Sequence, residues 1–228
     1  MAEKVYRLSP NSLGLMKDCP RCFWLDKHEQ WRRPVGIFPS LPAGMDRILK
    51  KHFDSFRDKG KLPPELRKEI EEKDAKLFGD NDEEKKLLEV WRNNKKGIQW
   101  EDEEGNILMG AVDNILVRDG KLIVLDYKTR GYALKEDTHE HYRDQLDIYN
   151  FLLKENGYET EDYGYLLFYY PDKVLEGGEI IFETKLVKME ANSENAKKIF
   201  ESAIKLLRGK CPAHHENEVC EWCHLVED

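Results

Sequence analysis

Asp113, Asp126 and Lys128 are spaced so that one β-hairpin would bring two carboxylates and an amine together. Asp119-Gly120 is a strong two-residue hairpin signal, because a tight turn of the favoured type needs positive φ at its central positions. With the turn there, Arg118 faces Lys121 and, counting outward, Asp113 faces Asp126. Directly opposed residues of an antiparallel pair hold their Cβ atoms roughly 5 Å apart on one face, where like charges destabilise the sheet. A hard divalent cation such as Mg2+ or Mn2+ compensates for that repulsion, since it prefers carboxylate and carbonyl oxygens. Lys128 lies two residues past Asp126, so an extended strand returns it to the same face. A bare Asp-x-Lys is more often a surface ion pair at a strand end, with Asp113 as a strand cap. The run Leu122-Ile123-Val124-Leu125 shifts the balance, because it drives the strand through a core and delivers the charges at its end. Downstream, Gln145 and Tyr149 stand four apart on a predicted helix, hence on one face, and both side chains can hydrogen-bond phosphate or base. Taken alone, they read as a surface Gln and a half-buried Tyr.

The cysteines suggest a second centre. Cys19-Pro20-Arg21-Cys22 and Cys220-Glu221-Trp222-Cys223 are two C-x-x-C knuckles, with Cys211 left over. Two such pairs make a complete tetrathiolate set, suited to Zn2+ or to an iron-sulfur cluster, and spacing alone does not choose between them. Joining residues so far apart closes a very long loop, so the centre is expected to staple the fold. His214, His215 and His224 keep zinc open as the alternative, although solvated histidines are the more ordinary reading.

These groups need elements to hold them. Ser9-Pro10 opens a helix running through Leu13, Met16, Cys19 and Phe23, with Ser as N-cap and Pro at N1. Residues 32–42 contain three prolines and read as an extended connector, followed by a helix from about Gly44 to Arg57. From Leu62 to about Asn94 the Glu- and Lys-rich chain reads as a largely solvated helical insert. Short apolar and β-branched runs predict strands at Ile107–Val117, Lys121–Tyr127, Tyr163–Tyr170 and Glu179–Met189. Helices are expected from about Glu140 to Asn156 and from about Ser193 to Leu207. The fold class is α/β: a central mixed β-sheet flanked by helices, with a helical insert and a cysteine-metal staple. Residues 1–228 are expected to form one domain: a connector and helical region at 32–96, a core at 97–190, and cysteine-bearing ends at 1–30 and 209–228.

Ten Tyr, nine Phe and five Trp supply enough large apolar side chains for a real core in a chain of 228 residues. The formal charge of −8 argues against nonspecific coating of nucleic acid, which depends on phosphate neutralisation. A locally basic groove with bound divalent metal escapes that objection. No basic stretch precedes an apolar run at the N-terminus, and no apolar run approaches membrane-spanning length, so an intracellular, cytoplasmic protein with reduced thiols is expected.

As an ordered set, Gly110-Ala111-Val112-Asp113, then Leu125-Asp126-Tyr127-Lys128-Thr129-Arg130-Gly131, then Gln145 and Tyr149, resembles the motifs of RecB-family PD-(D/E)XK nucleases. The layout is most similar to CRISPR-adaptation exonucleases and to the nuclease domain of AddB-type helicase-nucleases. The resemblance spans about residues 97–190 and the cysteine-bearing ends. It implies that Asp113, Asp126 and the Tyr127 carbonyl hold the metal while Lys128 orients the attacking water. Gln145, Tyr149 and Arg130 would contact DNA, single-stranded or with free ends. The family's upstream helical His has His52 as its candidate, at a longer spacing from Gly44 than the usual pattern; a His on an exposed helix face is the other reading. Related exonucleases hold a [4Fe-4S] cluster with one N-terminal and three C-terminal cysteines. This chain departs from that by offering Cys22 as a second N-terminal thiol, so Cys19, Cys22, Cys220 and Cys223 are the expected ligands, with Cys211 in reserve. The competing function is a noncatalytic nucleic-acid or protein binding module on the same stapled fold. Opposed carboxylates near a phosphate give such a module no advantage, which favours a metal-dependent DNA nuclease.

Overall fold

Central strands buried on both faces and apolar stripes on the helices fix the architecture. The computed structural model describes residues 4–71, 74–214 and 220–226. Its first part runs β1 (Arg7–Leu8), α1 (Pro10–Asp18), α2 (Pro20–Lys27), α3 (Ser40–Arg57), α4 (Pro64–Glu69), β2 (Lys76–Leu77) and α5 (Asp82–Trp91). Then follow β3 (Ile98–Glu101), β4 (Ile107–Gly110), β5 (Asn114–Arg118), β6 (Lys121–Thr129), α6 (Arg143–Glu155), β7 (Tyr163–Val174), β8 (Ile180–Glu190) and α7 (Ser193–Arg208). The main sheet has the order β2-β5-β6-β7-β8, antiparallel except for the parallel β6/β7 pair that α6 connects. A smaller sheet, β1-β4-β3, stands apart from it.

The two faces of the main sheet build two cores. Leu122, Val124, Leu166 and Phe168 point to the side covered by α6 and α7, where Leu146, Ile148, Leu152 and Phe200 are buried. Ile123, Leu125, Tyr127, Tyr165 and Leu167 alternate to the other side, against Leu49 and Phe53 of α3 and Leu66 of α4. No helix among the described residues is long and apolar enough to cross a membrane.

Three expectations need correction. The strand foreseen over Ile107–Val117 is broken: β4 belongs to the small sheet, β5 to the main one, and residues 111–113 cross between them. Val112 is fully buried there, and its N–H donates to the Trp91 carbonyl at the end of α5, 3.2 Å away. The first helix is two helices, because Pro20 pushes Cys19 into the extended region (φ −159°, ψ 105°) and starts α2 afresh. The segment from Leu62 to Asn94 is anchored by buried Leu77, Phe78, Leu88 and Trp91 as its apolar residues suggest, but it is less solvated than expected: Leu66 and Ile70 are buried too, and β2 adds a strand to the main sheet.

Candidate active site and thiolate cluster

The hairpin forms with the expected register. Asp119 and Gly120 take positive φ (49° and 80°), Arg118 pairs with Lys121 and Asn114 with Leu125, so Asp113 stands one step outside the ladder, across from Asp126. Since Leu122 and Val124 face α6, the alternation carries Asp126 and Lys128 to that side, and Lys128 Nζ donates to Gln145 Oε1 at 2.7 Å. Gln145 Nε2 in turn donates to the Tyr149 hydroxyl at 2.6 Å. Lys128 Nζ also lies 2.5 Å from Asp126 Oδ2 and 4.5 Å from the Tyr142 ring centroid. Asp113 Oδ2 accepts the Tyr127 N–H at 3.0 Å. Gly110 is required for this packing, because a Cβ there would sit 2.7 Å from the Tyr149 ring. A cleft of about 580 Å3, lined by Lys50, Arg92, Gly110, Asp113, Gln145 and Tyr149 among others, reaches Asp113 and the Gln145–Tyr149 pair.

Asp126 is 2% exposed, and its Oδ2 lies 2.5 Å from Lys128 Nζ, with no other hydrogen bond among the described residues. Burial and then the Asp126 charge push the Asp113 carboxyl up to about 6, as expected of two acids sharing a site. For Lys128, burial alone would lower the ammonium, but Asp126 and Asp113 raise it, so it stays charged. Buried Asp126 and half-buried Asp113, which lines the cleft, form a hard oxygen-donor set that fits Mg2+ or Mn2+.

The raised Asp113 carboxyl has a testable consequence. Between pH 3.8 and about 6 the folded chain keeps a proton that the unfolded chain releases, so this group costs stability as pH rises through that window. Without Mg2+ or Mn2+, Asp113→Asn is therefore expected to gain on the parent by roughly 1–3 kcal/mol between pH 4 and pH 6.5. Urea unfolding at both pH values measures it, and a difference that shrinks with pH would contradict the assignment.

Several groups around the site had not been singled out from the sequence. On α3, Asp46, Lys50 and Asp54 recur at helical spacing on the face toward Asp113. Lys50 Nζ lies 3.3 Å from Asp113 Oδ1. Arg92, at the end of α5, donates from Nε to the Asp113 carbonyl (2.8 Å) and from Nη1 to Asp54 (2.8 Å). Buried Arg57 also donates to Asp54, and through Nη2 to Asn114 Oδ1 at 2.6 Å; Asn114 in turn donates to the Tyr127 hydroxyl. This chain of bonds locks the residues on either side of the acid pair.

His52 is placed elsewhere. Its Nε2 lies 2.9 Å from Glu65 Oε1, which also accepts the Tyr169 hydroxyl at 2.9 Å, so it braces α3 against α4 and β7. Arg130 follows the end of β6, and its N–H donates to the Tyr169 carbonyl at 2.9 Å.

The thiols meet as well. Cys19, Cys22, Cys220 and Cys223 form a buried cluster packed by Leu15, Trp31 and Trp222. The sulfurs of Cys19, Cys22 and Cys220 lie within 4.8 Å of one another, while Cys223 Sγ is within that distance of His214 and His224 nitrogens. Cys22 and Cys220 sulfurs are 3.6 Å apart, too long for a disulfide bond. Cys19 caps α2, accepting the Cys22 N–H. Burial pushes the Cys19 and Cys22 thiols up. Burial would raise Cys220 too, but the Trp222 and Cys223 N–H groups and the neighbouring thiols bring it down to about 6. Arg33 Nη2, 3.3 Å from Cys220 Sγ, adds positive charge. Cys211 lies outside the cluster, its sulfur 3.6 Å from Arg21 Nη1. His215 falls outside the described residues.

Comparison with curated proteins finds no match. The sequence model of the PD-(D/E)XK nuclease superfamily, by contrast, matches residues 7–227, a span that takes in the hairpin, the α6 face and both cysteine knuckles, and the chain belongs to that superfamily.

Proposed function

We propose that the chain is a metal-dependent deoxyribonuclease, acting as an exonuclease on single-stranded DNA or on free ends. Membership of the superfamily carries a nuclease-type, hydrolytic function and a nucleic-acid substrate in general terms. The observation that supports placing the chemistry here is the convergence of Asp113, Asp126 and Lys128, with Asp113 lining a cleft and Asp126 buried behind it. Asp113, Asp126 and the Tyr127 carbonyl would hold Mg2+ or Mn2+, which when bound activates water and stabilises charge on the phosphate. Lys128, steadied by Asp126 and Gln145, orients the attacking water. Gln145 and Tyr149 line the cleft wall and hold the strand, with Arg130 near the end of β6. Cys19, Cys22, Cys220 and Cys223 are the ligand set we assign to a [4Fe-4S] cluster, with Zn2+ as the alternative; thiols in this state suit an intracellular compartment.

The test is degradation of labelled linear and circular single-stranded DNA with Mg2+ or Mn2+, and with neither. Loss of the linear form alone, dependent on the cation, is the expected result; cutting of circles makes the enzyme an endonuclease, and no cleavage of either sinks the reading. In the same assay Lys128→Ala is expected to slow turnover by about two orders of magnitude with metal affinity nearly unchanged, as for a group acting on the attacking water. Equal loss of DNA binding and turnover would make Lys128 a phosphate clamp instead.

A further inference from the structure

The ammonium of Lys50 lies between the carboxylates of Asp46 and Asp113. One turn apart on α3, Asp46 and Lys50 face the hairpin, and Lys50 Nζ lies 2.8 and 3.0 Å from the two Asp46 oxygens and 3.3 Å from Asp113 Oδ1. Asp113 therefore has a cation on one oxygen and the Tyr127 N–H on the other. The lysine is 24% exposed and lines the same cleft as Asp46 and Asp113. Nuclease sites that use two divalent ions hold them roughly 3.5–4 Å apart, a spacing that a shared carboxylate can bridge. Asp113 is positioned for that bridging role, with Asp126 across the hairpin and Asp46 across the cleft. The two outer acids differ: Lys128 engages Asp126 through Oδ2, whereas Lys50 engages both oxygens of Asp46.

We infer that Lys50 is a tethered cation filling the second-ion position, so that the site takes one divalent ion, and that Asp46 and Asp113 bind another only when Lys50 is removed. The inference rests on the reading of Asp113 and Asp126 as metal ligands. A hydrated dication entering beside Asp46 must shed water and displace an ammonium held by two carboxylates. Arg92, 7% exposed and bonded to the Asp113 carbonyl, adds positive charge against it.

Calorimetric titration with Mn2+, joined to electron paramagnetic resonance of the loaded protein, tests this on the chain with its thiolate centre as isolated. The parent is expected to bind one Mn2+ with the hyperfine pattern of an isolated ion, lost in Asp126→Ala. Lys50→Ala, which puts the best helix former into α3, is expected to bind two with an exchange-coupled spectrum. Adding Asp46→Asn to it should return the count to one. A coupled pair in the parent, or a single ion in Lys50→Ala, overturns the inference and leaves the hairpin site standing. An ion that survives Asp126→Ala, or no ion in the parent, overturns the hairpin reading itself.

Discussion

Asp126→Ala is expected to abolish cleavage, lowering kcat/KM by about three orders of magnitude or more. The substitution removes the more deeply buried of the two acids and, with it, the charge that fixes Lys128 at 2.5 Å. Losing a ligand at the point where phosphate charge develops costs several kcal/mol of transition-state stabilisation, and about 1.4 kcal/mol is tenfold in rate. The fold should survive, because β6 is carried by Leu122–Leu125 and by Tyr127 on the opposite face. Single-turnover cleavage of labelled DNA in Mn2+, with filter binding of the same DNA, separates chemistry from association. A variant cutting within about tenfold of the parent would move the active site elsewhere.

The second large effect concerns the thiolate cluster. Cys22→Ser and Cys220→Ser are each expected to release the bound metal and lower the melting temperature by about 10 °C. A centre that binds only the folded chain, at a thousand times its dissociation constant, contributes about 4 kcal/mol, and about 1 kcal/mol shifts the midpoint of a chain this long by roughly 2–4 °C. Cys211→Ser should retain both metal and midpoint, since Cys211 lies outside the cluster of the other four sulfurs. Elemental analysis beside thermal unfolding reads the result and also separates iron from zinc. Metal surviving in Cys22→Ser but vanishing in Cys211→Ser would replace the two-plus-two ligand set with one-plus-three.

What the sequence made legible was local. A two-residue Asp-Gly turn sets its own register, so the opposition of Asp113 and Asp126 and the return of Lys128 follow from strand periodicity. The break at residues 111–113 was hidden, because it depends on the Trp91 carbonyl taking the Val112 N–H and on Gly97 meeting Gly110 closely enough that a Cβ at 97 would lie 2.4 Å from the Gly110 oxygen. The segment after Leu62 looked solvated because its charges outnumber its apolar residues, yet Leu66 and Ile70, four apart, are both buried. Helical phase explains His52. Residues 46, 50 and 54 share the face toward Asp113, and position 52 lies about 200° around the helix from position 50. A motif spacing measured from Gly44 carries no information on that phase. The two knuckles did disclose that residues 19–22 and 220–223 meet, since thiolates sharing a centre must; the approach of Cys223 to His214 and His224 depends on tertiary placement alone.

The position of the thiolate cluster also sets an order of events in folding. Asp113 and Asp126 are drawn together across a two-residue turn, whereas Cys22 and Cys220 meet over a sequence separation of 198. Loop-closure entropy grows with the logarithm of length, which makes the longer closure costlier by about 2 kcal/mol before any bond rewards it. Contacts of low sequence separation form first and long-range ones late. The acid hairpin is therefore a fast local structure, and the joining of the two cysteine knuckles a slow global one. A refolding chain is therefore expected to oppose the carboxylates before the knuckles meet, and a metal held by the proposed thiol set would act as a late latch on a sheet already formed.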